Sequence, residues 1–152
     1  MREFEPVVRL AYVLCGNWST AEDIAQDGFV IAHRKWARIA DYDKPEAWVR
    51  RVVCDLAVSV IRRRVVEAKA LVRLARRQRP SEEPLAAADE DFWAAVRRLP
   101  RRQAQVVALY YLEDLSIGNI AGLMECAEGT VKAHLHKART NLAALLGEEG
   151  DA

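Results

Sequence analysis

Apolar residues recur at helical spacing along nearly the whole chain, and this periodicity restricts its fold more than any other feature. The first stretch forms one apolar face from Phe4, Val7, Val8, Leu10, Ala11 and Leu14. Gly16, a residue typical of helix ends, follows that face. The alternation of apolar and polar residues that marks strands is nearly absent. The sequence therefore predicts an all-α fold.

The first part of the chain, residues 1–70, is predicted to be a small domain of three helices. Its second helix has Ser19 or Thr20 as a candidate cap and is expected to run to about Ile39. The helical pattern is interrupted at residues 41–45. The third helix begins near Pro45 and continues into a run of arginines.

A polar linker is predicted over residues 71–90, because Pro80-Ser-Glu-Glu-Pro84 is the clearest linker composition in the chain. After it, residues 91–147 are expected to form a four-helix domain, and residues 148–152 an acidic tail. The helical segments are predicted near residues 89–98, 101–113, 116–124 and 128–146. The last two have the length and spacing of a helix-turn-helix.

Charge is distributed in blocks, although the formal net charge is only +1. Eight basic residues lie between Arg62 and Arg79 and are opposed only by Glu67, whereas residues 82–91 carry five acids and no base. A basic run of this length exceeds what is needed to complement the end of a helix dipole. It favours contacts with nucleic-acid phosphates over an ordinary solvated face.

Several classes of function are disfavoured by the sequence. Cys15, Cys54 and Cys126 are far apart and lack metal-ligand spacing, so no metal site or disulfide framework is expected. No catalytic constellation or phosphate-binding glycine loop is present, and no enzyme activity or cofactor is expected. The charged start and the absence of a long apolar run predict a cytoplasmic protein that does not insert into membranes.

The stretch "CAEGTVKAHLHKAR", residues 126–139, belongs to the last predicted helix. At 100° per residue from Val131, one core stripe within about 40° contains Leu135, Ala138, Leu142 and Leu145. Ala133, His136, Lys137 and Thr140 are predicted to point away from this stripe, with Lys132 and Arg139 on one flank. Small and basic residues on an outer face suit a DNA groove, but they also suit a solvated amphipathic helix, and the stretch alone leaves both open.

Aromatic residues divide into two groups. The four tryptophans, Trp18, Trp36, Trp48 and Trp93, are predicted to be mainly core residues. Tyr42 differs, because it lies between Asp41 and Asp43 in a segment with no core face. An exposed aromatic ring near a basic helix is a candidate for stacking on an unpaired base.

Three stretches in order resemble bacterial RNA polymerase sigma factors of the extracytoplasmic-function (ECF) group. "STAEDIAQDGFVIAHRKW" is similar to the polymerase-binding helix, and "PEAWVRRVVCDLAVSVIRRR" is similar to the promoter-melting helix. "LPRRQAQVVALYYLEDLSIGNIAGLMECAEGTVKAHLHKARTNL" resembles the helix-turn-helix domain that reads the −35 element. The resemblance covers residues 4–146 and implies a sigma region-two domain and a region-four domain.

The resemblance implies three sets of site residues. Those for docking on the coiled coil of the largest polymerase subunit are Glu22, Asp23, Gln26, Asp27 and Phe29. Those for the −10 element are Tyr42, Trp48, Arg51, Asp55, Arg62, Arg63 and Arg64. Those for the −35 element are Thr130, Lys132, Ala133, His134, His136 and Lys137. The implied partners are core polymerase, including its flap, promoter DNA and an anti-sigma factor.

Several positions depart from the family pattern, among them Asp55, Ser59, Glu125 and Ala127. Asp55 stands where asparagine is usual, and its charge would repel a DNA strand unless a neighbour such as Arg51 neutralises it. Glu125 replaces a turn glycine, and Ala127 replaces the usual serine cap of the recognition helix.

Two alternatives to a sigma factor remain open from the sequence. An ordinary helix-turn-helix regulator would explain the last domain but not residues 19–36. A diverged homologue that only binds proteins would explain Asp55.

Overall fold

The structure, a computed structural model, describes residues 3–70 and 87–150 of the chain. All regular structure in these ranges is helical, which confirms the predicted all-α class. The chain divides into two compact units, residues 1–84 and 85–152. Among the described residues, no helix is long and apolar enough to cross a membrane.

Unit 1 contains four described helices: α1 (Phe4–Cys15), α2 (Trp18–Arg34), α3 (Trp36–Ile39) and α4 (Pro45–Ala70). Gly16 ends α1 in a left-handed conformation, with φ 77°. The predicted cap of α2 was wrong, because the Asn17 side chain accepts the hydrogen bond from the Thr20 backbone N–H at 2.9 Å. The second predicted helix is also divided, since α2 ends before Lys35 and the four-residue α3 follows.

The core of unit 1 lies where α1, α2 and α4 pack against one another. Leu10 and Leu14 of α1 are fully buried there. Gly28 of α2 faces α4 so closely that a Cβ at this position would lie 2.6 Å from Val53 Cγ2. The absent side chain therefore sets the separation of the two helices.

Unit 2 contains α5 (Ala87–Arg97), α6 (Arg101–Val107), a π-helical turn (Ala108–Leu112), α7 (Ile117–Met124) and α8 (Glu128–Gly150). Residues 87–90, predicted as linker, already belong to α5. Alanines favour helix there, and Asp89 and Glu90 lie in the first turn, where the helix dipole favours acids. The rest of the predicted linker, residues 71–86, lies outside the described residues, as does the end of the predicted tail.

The turn between α7 and α8 has a backbone conformation that is unfavourable for the residue found there, Glu125. Glu125 adopts the left-handed conformation, with φ 54° and ψ 47°. At the start of α7, the Ser116 hydroxyl accepts a hydrogen bond from the Asn119 backbone N–H at 3.1 Å. The helix-turn-helix is therefore formed with one good cap and one non-glycine residue in a glycine-favouring conformation.

Candidate protein-docking and nucleic-acid surfaces

The outer face of α2 carries the acidic residues that were predicted to bind a protein partner. Asp23, Gln26 and Asp27 are exposed, and Glu22 is partly exposed. Phe29 is partly buried because its ring packs 6.0 Å from that of Phe4, centroid to centroid. The four polar side chains therefore present a hydrophilic, acidic face, which Phe29 borders on the side toward α1.

Two exposed apolar residues belong to the same region and were missed from the sequence. Val30 is 48% exposed, although it is apolar, and Trp36 of α3 is 54% exposed rather than in the core. A helical wheel could have identified Val30, because it follows Gln26 by four residues and Asp27 by three. Trp36 gave no such signal, since its exposure depends on the break after α2.

A groove of about 660 Å³ opens in unit 1 beside this face. The side chains that line it come from α1, α2, α3 and α4 and from the residue before α1: Glu3, Val7, Phe29, Ala32, His33, Trp36, Pro45, Glu46 and Val49. Most of this lining is apolar. Glu3 at its edge is paired with Arg50, whose Nη2 lies 3.2 Å from Glu3 Oε2.

The segment between α3 and α4 presents the predicted base-stacking residue to solvent. Tyr42 is 42% exposed, and its backbone N–H donates to the Ile39 carbonyl at 3.0 Å. Trp48, at the start of α4, is partly buried, and Lys35 Nζ lies 6.0 Å from the centroid of its ring. Tyr42 is thus accessible to a ligand, whereas Trp48 is engaged with its own unit.

The predicted DNA-contacting part of α4 is described in part. Arg51 and Asp55 are both partly exposed. The Ser59 hydroxyl donates to the Asp55 carbonyl at 2.8 Å, a bond within the helix. Arg63 is exposed, while the side chains of Arg62 and Arg64 lie outside the described residues.

The stripe predicted for the last helix is confirmed in α8. Val131, Leu135, Ala138 and Leu142 are buried, and Leu145 is partly buried. The exposed residues of the opposite face are Thr130, Lys132, Ala133, His136 and Lys137. This outer face combines small and basic residues, a composition that fits a DNA groove.

His134 differs from the other residues predicted to face the −35 element. Its side chain is partly buried rather than exposed. Burial lowers the pKa of its imidazole, and the positive charges of Lys137 and Arg102 lower it further. His134 therefore lies at the border of the outer face, on the side toward Arg102.

Arg139 on α8 is held by two tyrosines of the π-helical turn. Its Nε donates to the Tyr111 hydroxyl at 2.9 Å, and this hydrogen bond raises the pKa of the guanidinium. The guanidinium also lies over the Tyr110 ring, 5.7 Å from its centroid. The π-helical turn is thereby connected to α8.

Within residues 3–70 and 87–150, no group of three or more His, Cys, Asp or Glu side chains could hold a metal ion. Within the same described ranges, Cys15, Cys54 and Cys126 form no disulfide.

Two family models match the chain. Sigma-70 region 2 matches residues 2–66, and Sigma-70, region 4 matches residues 89–142. The matched ranges contain α1–α4 except for the last turn of α4, and most of unit 2 through the greater part of α8.

Curated proteins similar to this chain include several ECF RNA polymerase sigma factors. SigE of Mycolicibacterium smegmatis is 31% identical over 90% of this chain and 55% of its own length. SigW of Bacillus subtilis is 26% identical over 91% of this chain and 81% of its own. SigM of Mycobacterium tuberculosis is 29% identical over 96% and 74%, respectively. The chain thus spans little more than half the length of the first of these relatives.

Among solved structures, the chain resembles the sigma factor RpoE of Bartonella quintana, determined in complex with the anti-sigma factor NepR. The TM-score is 0.72 at 23% sequence identity, and the match covers 96% of this chain and 92% of the other. At this identity the likeness supports the fold.

Proposed function

Since the chain belongs to the sigma-70 family of RNA polymerase sigma factors, in its ECF group, we propose that it directs promoter-specific transcription initiation. It binds core polymerase through unit 1 and reads promoter DNA through both units. The observation that carries this proposal is the pairing of two exposed surfaces in one chain: the acidic face of α2 and the basic outer face of α8.

Docking on polymerase uses the outer face of α2. Glu22, Asp23 and Asp27 supply negative charge toward the coiled coil of the largest subunit, and Gln26 adds hydrogen-bonding capacity. Phe29 supplies an apolar contact at the edge of this face. Unit 2 engages the polymerase flap.

Recognition of the −10 element uses the segment before α4 and the outer side of that helix. Tyr42 is accessible enough to stack on a base that has left the duplex. Arg51 and Arg63 contact strand phosphates. The resemblance assigns Trp48, Asp55, Arg62 and Arg64 to recognition of the same element.

Recognition of the −35 element uses α8 as the recognition helix. Thr130 and Ala133 are small, so the helix approaches the base edges closely. Lys132, His136 and Lys137 contact phosphates or base acceptors. His134 contributes from the border of this face.

The remaining properties follow from this role. The protein is a binding subunit rather than an enzyme, needs no cofactor, and works in the cytoplasm, where RNA polymerase transcribes. The B. quintana relative was solved with an anti-sigma factor, which supports a regulator of the same class for this chain.

Run-off transcription with purified core polymerase tests the proposal. A genomic fragment library serves as template, because the promoter is to be found by the assay. Asp27→Arg should abolish product by repelling core, and Glu5→Arg, a matched exposed acid on α1, should leave product unchanged. Lys132→Ala should weaken promoter use, with Arg98→Ala as its matched control.

The alternatives give different results in the same assay. Binding to core without product, restored by Asp55→Asn, would support a diverged homologue whose melting helix is impaired by that charge. Sequence-specific DNA binding that is unaffected by core polymerase would identify an ordinary regulator instead. Either outcome would contradict the proposed function.

A further inference from the structure

One acidic side chain lies at the start of α8, the helix whose outer face is otherwise small and basic. Glu128 is the first residue of α8 and is exposed. It is the only acid in residues 128–147 of the sequence, a stretch that also contains Lys132, Lys137 and Arg139. A negative charge at the start of a helix that enters a DNA groove is unfavourable unless a hydrogen-bond donor meets it.

The carboxylate of Glu128 is directed toward the start of α7. Its Oε1 lies 3.1 Å from the position that a Cβ on Gly118 would take, and Ser116 Oγ lies 3.9 Å from the same position. Gly118 belongs to the first turn of α7, directly after the Ser116 cap. The positive ends of two helix dipoles, those of α7 and of α8 itself, therefore favour a carboxylate at this place. The glycine leaves the space that the carboxylate occupies.

No described cation neutralises this carboxylate. Lys132 follows Glu128 by four residues, the spacing at which a glutamate and a lysine pair on a helix. Within residues 3–70 and 87–150, however, neither side chain takes part in a salt bridge. The two oxygens of Glu128 are therefore available to accept hydrogen bonds from a ligand, and an ionised carboxylate can only accept.

Glu128 occupies the part of a helix-turn-helix that reads bases. The N-terminal residues of a recognition helix contact base edges in the major groove, while the helix before it crosses the DNA backbone. The nearby residues Gly129 and Ala133 are small and exposed, and nothing lies within 4 Å of a Cβ at Gly129. The start of α8 can therefore approach the bases closely.

The base edges in the major groove differ in what they offer to a carboxylate. Cytosine N4 and adenine N6 are amino groups that donate, whereas guanine O6 and N7 and thymine O4 only accept. A carboxylate is attracted by the amino groups and repelled by the acceptors. The charge of Glu128 thus discriminates between bases at the position that it faces.

We propose that Glu128 is a specificity-determining residue for the −35 element, which selects a base amino group, cytosine N4 or adenine N6, at one position and rejects guanine and thymine there. This inference rests on the proposed function and adds to it one residue and the chemistry of the base that it selects. Because α7 holds the carboxylate at the start of α8, the selection concerns a single position of the element.

Sequencing of bound duplexes tests this selection, with the full-length protein on core polymerase and the promoter found by run-off transcription. Each position of the −35 element is randomised in turn. The wild-type protein should favour cytosine or adenine on one strand by at least about fivefold at one position, the low end for a specific base contact. The sequences also show which of these two bases supplies the amino group.

Three variants separate the role of Glu128 from a general effect of charge. Glu128→Ala should remove the preference at that position alone. Glu128→Gln should admit guanine or thymine there, because an amide also donates hydrogen bonds. Glu125→Gln, an exposed acid in the preceding turn with the same change of charge, should keep the wild-type profile.

Two results would overturn the selection by Glu128 while promoter binding stands. One is an unchanged base preference in Glu128→Ala, and the other is an equal change at every position of the element. If the wild-type protein with core polymerase binds no promoter duplex, both this inference and the proposed function are refuted.

Discussion

Replacing Gly28 by alanine tests the closest helix contact in unit 1. The added Cβ would lie 2.6 Å from Val53 Cγ2, a distance that requires one group to move. Val53 is fully buried and β-branched, so its side chain has no free rotamer to adopt. Overpacking of this kind costs about 1–3 kcal/mol, and the better helix propensity of alanine returns about 1 kcal/mol. We expect a net loss of about 1 kcal/mol.

Urea denaturation of the full chain measures this loss, with hydrogen exchange to assign it to unit 1. Gly122→Ala is the matched control, because nothing lies within 4 Å of a Cβ at that helical position in α7. It should stabilise the protein by about 1 kcal/mol. Gly28→Ala combined with Val53→Ala should lose less than the sum of the two single changes. If Gly28→Ala instead stabilises as much as Gly122→Ala, the close approach of α2 and α4 is wrong.

The remaining predictions concern single side chains. Glu125→Gly should raise the stability of unit 2 by about 1 kcal/mol in thermal unfolding, because a left-handed conformation costs a non-glycine residue about that much. A lower melting temperature would contradict the backbone strain at Glu125. Val30→Asp should weaken binding to core polymerase at least about tenfold in biolayer interferometry, which corresponds to about 1.4 kcal/mol of binding free energy. The melting temperature should not change, because Val30 is exposed. An unchanged affinity would exclude Val30 from the docking face. Tyr111→Phe should lower the free energy of unfolding by about 0.5 kcal/mol in urea, since it removes the exposed hydrogen bond to Arg139. Arg139→Gln should lose at least as much, because it also removes the cation over the Tyr110 ring, and a wild-type value in both would show that these contacts are energetically neutral.

Helix positions and their buried faces could be predicted from the sequence because they depend on local periodicity. The stripe of α8 shows this, since Val131 and Leu135 are buried as the 100° step requires. The residues at which helices begin and end were less predictable. Asn17, Ser19 and Thr20 can all cap a helix, and only the path of the chain after Gly16 decides between them.

The residues of the candidate surfaces also differ in how well the sequence predicted them. The acidic residues of α2 were predicted because they share one short helix. Trp36 was assigned to the core on composition alone, although the break at Lys35 turns it toward solvent.

The π-helical turn at Ala108–Leu112 has a consequence for how this unit tolerates insertions and deletions. A π-turn accommodates one residue more than an α-turn. Deleting one residue there would restore regular α-helix and rotate α6 by about 100° relative to α7 and α8. Tyr110 and Tyr111 would then no longer meet Arg139. One surplus residue thus keeps the register between the middle of unit 2 and α8.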